Sequence, residues 1–144
     1  MSRPTTSTLL LLLFAIIAVV SAVPAVAGSA HADAGAALEL DPGTFHKVVQ
    51  DPTKHVFVMF YAPWCTHCVR MKPKWEEFAR SMADQADVVI AKIDAAAHRA
   101  IAEEYRVQGF PTLKLFTKGN KEGVPYQGPR DVAALTGFLK SFMV

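Results

Sequence analysis

Seven consecutive residues, His55 to Tyr61 (HVFVMFY), are β-branched, aromatic or otherwise apolar almost throughout. A strand of this kind has no face to offer water. It belongs at the centre of a sheet that is covered on both sides. Ala62-Pro63-Trp64 breaks the run, Cys65-Thr66-His67-Cys68 follows, and then the period changes to that of a helix. Met71, Trp75, Phe78, Ala79 and Met82 share one stripe, with Lys72, Lys74, Glu76, Glu77 and Arg80 between them. Pro73 lies inside this pattern and is expected to kink it.

The other elements supply the cover. Leu38 to Leu40 reads as a short edge strand. Asp41-Pro42 offers an N-cap with proline at the first helical position, and Phe45, Val48 and Val49 give the following helix an apolar face. Gln50 to Lys54 is a polar turn. Val88 to Ile93 (VVIAKI) is a second buried strand, and Ala97 to Tyr105 a helix. Thr112 to Thr117 alternates as a half-buried strand should. It connects through Lys118–Lys121 to a short antiparallel partner, Val124 to Gln127. Asp131 to Val144 closes the chain as a helix with Val132, Leu135, Leu139 and Phe142 on one face. No internal repeat is present. The order βαβαβαββα predicts an α/β fold, a central mixed sheet flanked by helices on both faces.

The N-terminus bears on the compartment. Arg3 supplies a positive charge, Leu9 to Val20 is an unbroken run of twelve apolar residues, and Ala25-Val26-Ala27 has the small-x-small form of a cleavage site. This is the layout of a secretory signal peptide over 1–27. The run is short for a membrane span, which needs roughly 20 apolar residues, so no membrane association is expected after cleavage. Residues 28–37 read as a flexible mature N-terminus and 38–144 as one domain. The whole chain carries 15 basic and 13 acidic residues. They are interspersed, which gives no footprint for nucleic acid or an anionic membrane.

Cys65 and Cys68 are the only cysteines of a chain bound for an oxidising compartment. A disulfide-stapled secreted scaffold would carry more, at wider spacing. The loop between these two is too small to constrain the unfolded chain usefully. Zinc needs four ligands, and His31, His46, His55 and His98 are scattered, with no second close pair. Redox use fits best. The pair follows a central strand and opens a helix, where free N–H groups and the helix dipole favour an anion. A thiolate there has a lowered pKa and is the attacking species. Cys65 is the expected nucleophile, and Cys68, one turn inside, the expected resolving thiol.

Phe60-Tyr61-Ala62-Pro63-Trp64-Cys65 through Cys68 resembles the active-site signature FYAPWCGHC of a protein disulfide isomerase catalytic domain. Ala91-Lys92-Ile93-Asp94, Gly109-Phe110-Pro111-Thr112 and Tyr126-Gln127-Gly128-Pro129-Arg130 resemble later motifs of that family, in order. The resemblance covers Leu38 to Val144 and implies the thioredoxin fold with activity on protein disulfides. It further implies that Pro111 is cis and faces the sulfurs, so that the preceding carbonyl, of Phe110, meets an extended substrate. It implies that Trp64 offers the substrate an apolar contact, that His67 favours the thiolate, and that Arg130 helps the buried cysteine lose its proton. Two positions depart from the pattern. Thr66 stands where the family has glycine. Met59 stands where it has a buried acid that takes the inner cysteine's proton, while Lys92, the usual partner of that acid, is kept. A lysine so deprived would lose its proton or bend outward to water.

The expectation is therefore a disulfide oxidoreductase or isomerase of the endoplasmic reticulum lumen. Secretion is the alternative, since the chain ends Ser141-Phe142-Met143-Val144 without a KDEL-type signal. Its partners would be cysteine-containing folding polypeptides and an upstream oxidant or glutathione. No cofactor is implied, because the cysteine pair is itself the redox group. Oligomeric state is not legible. The rival readings are a chaperone-like binding module with slow redox activity and a secreted thioredoxin-like reductant. The position of His67 argues against the reductant.

Overall fold

The computed structural model describes residues 36–144; the expected signal peptide and nearly all of the expected flexible segment lie outside them. Strand β2 (His55–Tyr61) is buried at six of its seven positions. It pairs in parallel with β3 (Val88–Asp94) and antiparallel with β4 (Thr112–Phe116). Strands β1 (Leu38–Leu40) and β5 (Val124–Tyr126) complete a five-stranded mixed sheet of order β1-β3-β2-β4-β5. Pro125 is tolerated because β5 is an edge strand.

Alternation along β2 sends its side chains into two cores. Phe57 and Met59 meet Met71, Trp75 and Phe78 of helix α2 (Thr66–Ser81) and Leu135 and Leu139 of α4 (Val132–Lys140). Val56, Val58 and Phe60 meet Phe45 and Val49 of α1 (Pro42–Val49) and Ile101 and Ala102 of α3 (Arg99–Glu104). Five consecutive side chains, Val56 to Phe60, are at most 1% exposed. At roughly 1.5–3 kcal/mol each, their burial is a leading stabilising term. The thioredoxin-type layering expected from the sequence is the one observed.

Several boundaries differ for local reasons. Helix α2 carries Pro73 inside it, where the sequence placed that residue, and stops at Ser81, one residue short of Met82. Helix α3 starts later than expected, because Asp94 Oδ1 accepts the N–H groups of Ala96 (3.1 Å) and Ala97 (2.9 Å) and holds them in a turn. Helix α4 ends at Lys140, where the Ser141 hydroxyl donates to Phe138 O at 2.7 Å. Ala37, expected to be flexible, is buried, and its N–H donates to Glu76 Oε2 at 2.8 Å.

Glu76 also answers the question posed by Lys92. The lysine neither bends outward to water nor lacks a counter-ion: its Nζ donates to Glu76 Oε1, and Glu39 Oε2 lies 3.9 Å away. Its side chain is 13% exposed and that of Glu76 20%. Burial alone would push the Glu76 carboxyl up. The hydrogen bonds from Lys92 and from Ala37 N–H, with the nearby charges of Lys92 and Lys72, outweigh it and hold the carboxyl below its ordinary value.

A group whose folded pKa lies below its unfolded value stabilises the fold above the unfolded pKa and loses that contribution as pH falls through the folded one. Glu76→Gln should therefore cost about 1–3 kcal/mol at neutral pH. The difference in melting temperature between variant and parent should close as the pH is lowered through the acidic range. Thermal melts against pH check this, and a gap independent of pH would refute it.

Candidate active site

Tyr61 ends β2, and Ala62-Pro63-Trp64 turns the chain so that Cys65 becomes the N-cap of α2. Cys65 Sγ stands where a capping oxygen usually sits and accepts the N–H of Cys68 at 3.3 Å. Both cysteines are free thiols. Cys65 is 8% exposed and Cys68 3%.

Their acidities are driven apart. Burial raises the Cys65 thiol, but hydrogen bonds from the Cys68 thiol and from the N–H groups of Cys68 and His67, with the charge of Arg130, outweigh it and bring Cys65 below the usual thiol value. Cys68 is pushed up to about 11, first by burial and then by its own hydrogen bond to Cys65. The helix N-terminus thus favours an anion on the outer sulfur and a proton on the inner one.

The other expected residues gather around this pair. The Phe110–Pro111 peptide bond is cis. The Phe110 carbonyl accepts from Cys65 Sγ at 3.5 Å. Trp64 is 74% exposed, and its ring meets Phe110 edge-on with centroids 5.9 Å apart. It is no core tryptophan; Trp75, fully buried with Nε1 donating to Ala91 O at 3.0 Å, has that place. The His67 ring is exposed, and the contribution of this residue to Cys65 is its backbone N–H. Arg130 is exposed on the loop before α4 and draws both thiols down through its charge. That loop needs Gly128, since a Cβ there would lie 2.6 Å from Tyr126 Oη, which donates to Pro129 O at 2.6 Å. Thr66 opens α2 and is exposed.

Two hollows that the sequence did not single out lie beside the loop residues around the cysteines, and one of them is lined by Cys68. One, of about 350 Å³, lies between Trp64 and Phe110, with a floor of Ala95, Ala96 and Ala102 and a rim of Arg99 and Glu103. The other, of about 40 Å³, lies beside Cys68, Met59 and Lys72. The alanine floor carries no motif of its own. The i, i+4 spacing of Cys68, Lys72 and Glu76 was the available signal for the second. No group of three or more His, Cys, Asp or Glu side chains able to hold a metal occurs among the described residues.

The sequence pattern of the family described as Thioredoxin matches residues 36–141. The chain is 51% identical over 100 residues to a probable protein disulfide-isomerase A6 of Medicago sativa, covering 69% of this chain and 28% of that protein. It is 45% identical over 104 residues to protein disulfide-isomerase 1 of Dictyostelium discoideum, covering 71% and 29% respectively. The chain thus spans under a third of the length of these curated relatives. The solution structure of the first thioredoxin domain of mouse protein disulfide-isomerase A4 is similar, with a TM-score of 0.64 and 34% identity, covering 72% of each chain.

The opposed acidities predict selective labelling. Brief iodoacetamide treatment of the reduced protein near neutral pH should modify Cys65 and spare Cys68. The rate should rise with pH to a midpoint below that of a free thiol. Peptide mass spectrometry checks the site, and preferential modification of Cys68 would reverse the assignment.

Proposed function

The chain belongs to the thioredoxin family, among the domains related to protein disulfide isomerases, and from that membership we propose that it is a thiol–disulfide oxidoreductase acting on the disulfides of folding secretory polypeptides. The observation that carries the reading is the pair of opposed thiols at one helix N-terminus. Cys65, the more acidic, is the nucleophile. Its thiolate attacks one sulfur of a substrate disulfide, and the other substrate sulfur leaves as a thiolate that takes a proton from solvent. Cys68, after losing its proton, attacks Cys65 Sγ and releases the second substrate sulfur. The enzyme ends as the Cys65–Cys68 disulfide and the substrate as a dithiol. Run backward from the oxidised enzyme, the same steps introduce a disulfide, with an upstream oxidant or glutathione restoring the pair.

The surrounding residues act on these steps. The N–H groups of His67 and Cys68 and the charge of Arg130 stabilise the Cys65 thiolate, and Arg130 also eases ionisation of Cys68. Trp64, Phe110 and the hollow between them receive the polypeptide flanking the reacting cysteine. The N-terminal apolar run and the kinship with protein disulfide isomerases support the endoplasmic reticulum lumen, or secretion, as the place of action. A second reading has its own observation: Cys68, held up to about 11 beside an apolar Met59, could turn over slowly enough that the domain serves as a holder of unfolded chains.

Two measurements decide. Cys68→Ser should trap mixed disulfides with substrate polypeptides on a non-reducing gel, and Cys65→Ser should trap none; equal trapping would refute the division of roles. Insulin reduction should vanish in Cys65→Ser, whereas a holder would protect clients equally with and without that thiol. The potential of the pair separates the uses of the chemistry: roughly −180 mV suits an isomerase and roughly −270 mV a reductant.

A further inference from the structure

Resolution of the mixed disulfide requires that the Cys68 thiol, 3% exposed, give up its proton. The residue that faces Lys92 across the sheet register, Met59, is apolar and buried, and Lys92 is committed to Glu76. Among the described residues, no carboxylate lines the hollow beside Cys68. That hollow, of about 40 Å³, runs between Met59, Tyr61 and Ala62 on the sheet side and Cys68, Val69 and Lys72 on the helix side. It has room for about two or three waters. Lys72 is the only cation among the described residues of its wall. It stands four residues after Cys68 and therefore on the same helix face, and its Nζ is 5.7 Å from the centre of the Tyr61 ring.

We propose that this hollow is the route by which the Cys68 proton reaches solvent, and that Lys72 at its mouth is a positioning residue for that step. The inference rests on the oxidoreductase reading above and concerns its second half. Cys68 Sγ–H passes its proton to a water in the hollow, and from there to a base in bulk solvent. The Cys68 thiolate then attacks Cys65 Sγ, the bond from Cys65 to the substrate sulfur breaks, and that sulfur leaves with the electron pair. Lys72 holds a positive charge beside the place where the anion forms, which favours the thiolate over the thiol. Seating over the aromatic face keeps the charge there rather than free in solvent. Arg130 acts on both sulfurs, whereas Lys72 shares with Cys68 a hollow whose lining does not include Cys65, so its loss should touch one step and spare the other.

The two steps can be timed in one experiment. Reduced protein mixed with 5,5′-dithiobis(2-nitrobenzoate) should release one nitrothiobenzoate as Cys65 attacks, and a second as Cys68 resolves the adduct. In Lys72→Leu the first phase should be unchanged. The second should slow by about two- to fivefold at neutral pH, the size of one charge interaction near a protein surface, and its pH profile should move upward. Lys72→Arg should restore both. Lys72 is exposed, so neither change threatens the fold. A second phase with the same rate and pH profile in Lys72→Leu as in the parent would overturn the proposed route while leaving the oxidoreductase reading intact. A parent protein whose first phase survives Cys65→Ser would instead overturn the reading on which the route rests.

Discussion

Strand β2 cannot meet water on either face, and the placement of the other elements follows from that. Six of its seven residues are buried, so one cover is needed over Phe57 and Met59 and another over Val56, Val58 and Phe60. Helices α2 and α4 supply the first and α1 and α3 the second. The strand ends where its cover ends. Beyond Tyr61 the chain must turn, and Ala62-Pro63 makes the turn directly into α2. The cysteine pair is thereby delivered to a helix N-terminus at the edge of the core, with Cys65 the less buried of the two sulfurs. Reactivity here is a consequence of where a buried strand stops.

A single turn of helix separates two sulfurs with opposite tendencies. Both are buried, and burial by itself would raise both. What separates them is the direction of hydrogen bonding. Cys65 receives N–H groups at the open end of the helix, and the Cys68 thiol donates to it. The same hydrogen bond therefore lowers one sulfur and raises the other. Such a pair holds one thiolate easily and resists holding two, as sequential attack and resolution require.

Most of the fold was legible because its signals were local and redundant. The apolar run of β2, the 3.6-residue stripe of α2 and the Asp41-Pro42 cap each depend on a few adjacent residues, and the structure keeps them. The misplaced ends of α3 and α4 arose from side chains that bond their neighbours' backbone, Asp94 to Ala96 and Ala97 and Ser141 to Phe138, where periodicity carries no information. The cysteine pair could be read from its spacing and position, and the residues around it from the resemblance to a family, and the structure brings them together at the start of α2. The two hollows could not. Each is bounded by residues from several elements, and alanine at 95, 96 and 102 announces nothing until Trp64 and Phe110 are set above it.

Lys92 is the sharpest instance of what a linear reading leaves out. The sequence presents a lysine opposite a methionine and invites the conclusion that a charge has lost its partner. The partner is sixteen residues earlier, on the helix that crosses this face of the sheet. Glu76 serves Lys92 with one oxygen and the Ala37 N–H with the other, so the same carboxylate neutralises a strand and ties down the start of the described chain. With Met59 opposite it, Lys92 therefore still has its counter-ion. Met59 is the apolar neighbour of Cys68 in the small hollow, and the charges lie on α2, where Lys72 and Glu76 follow Cys68 at four-residue intervals. Charge on this side of the domain runs along a helix rather than along β2, and a proton leaving Cys68 has reason to go the same way.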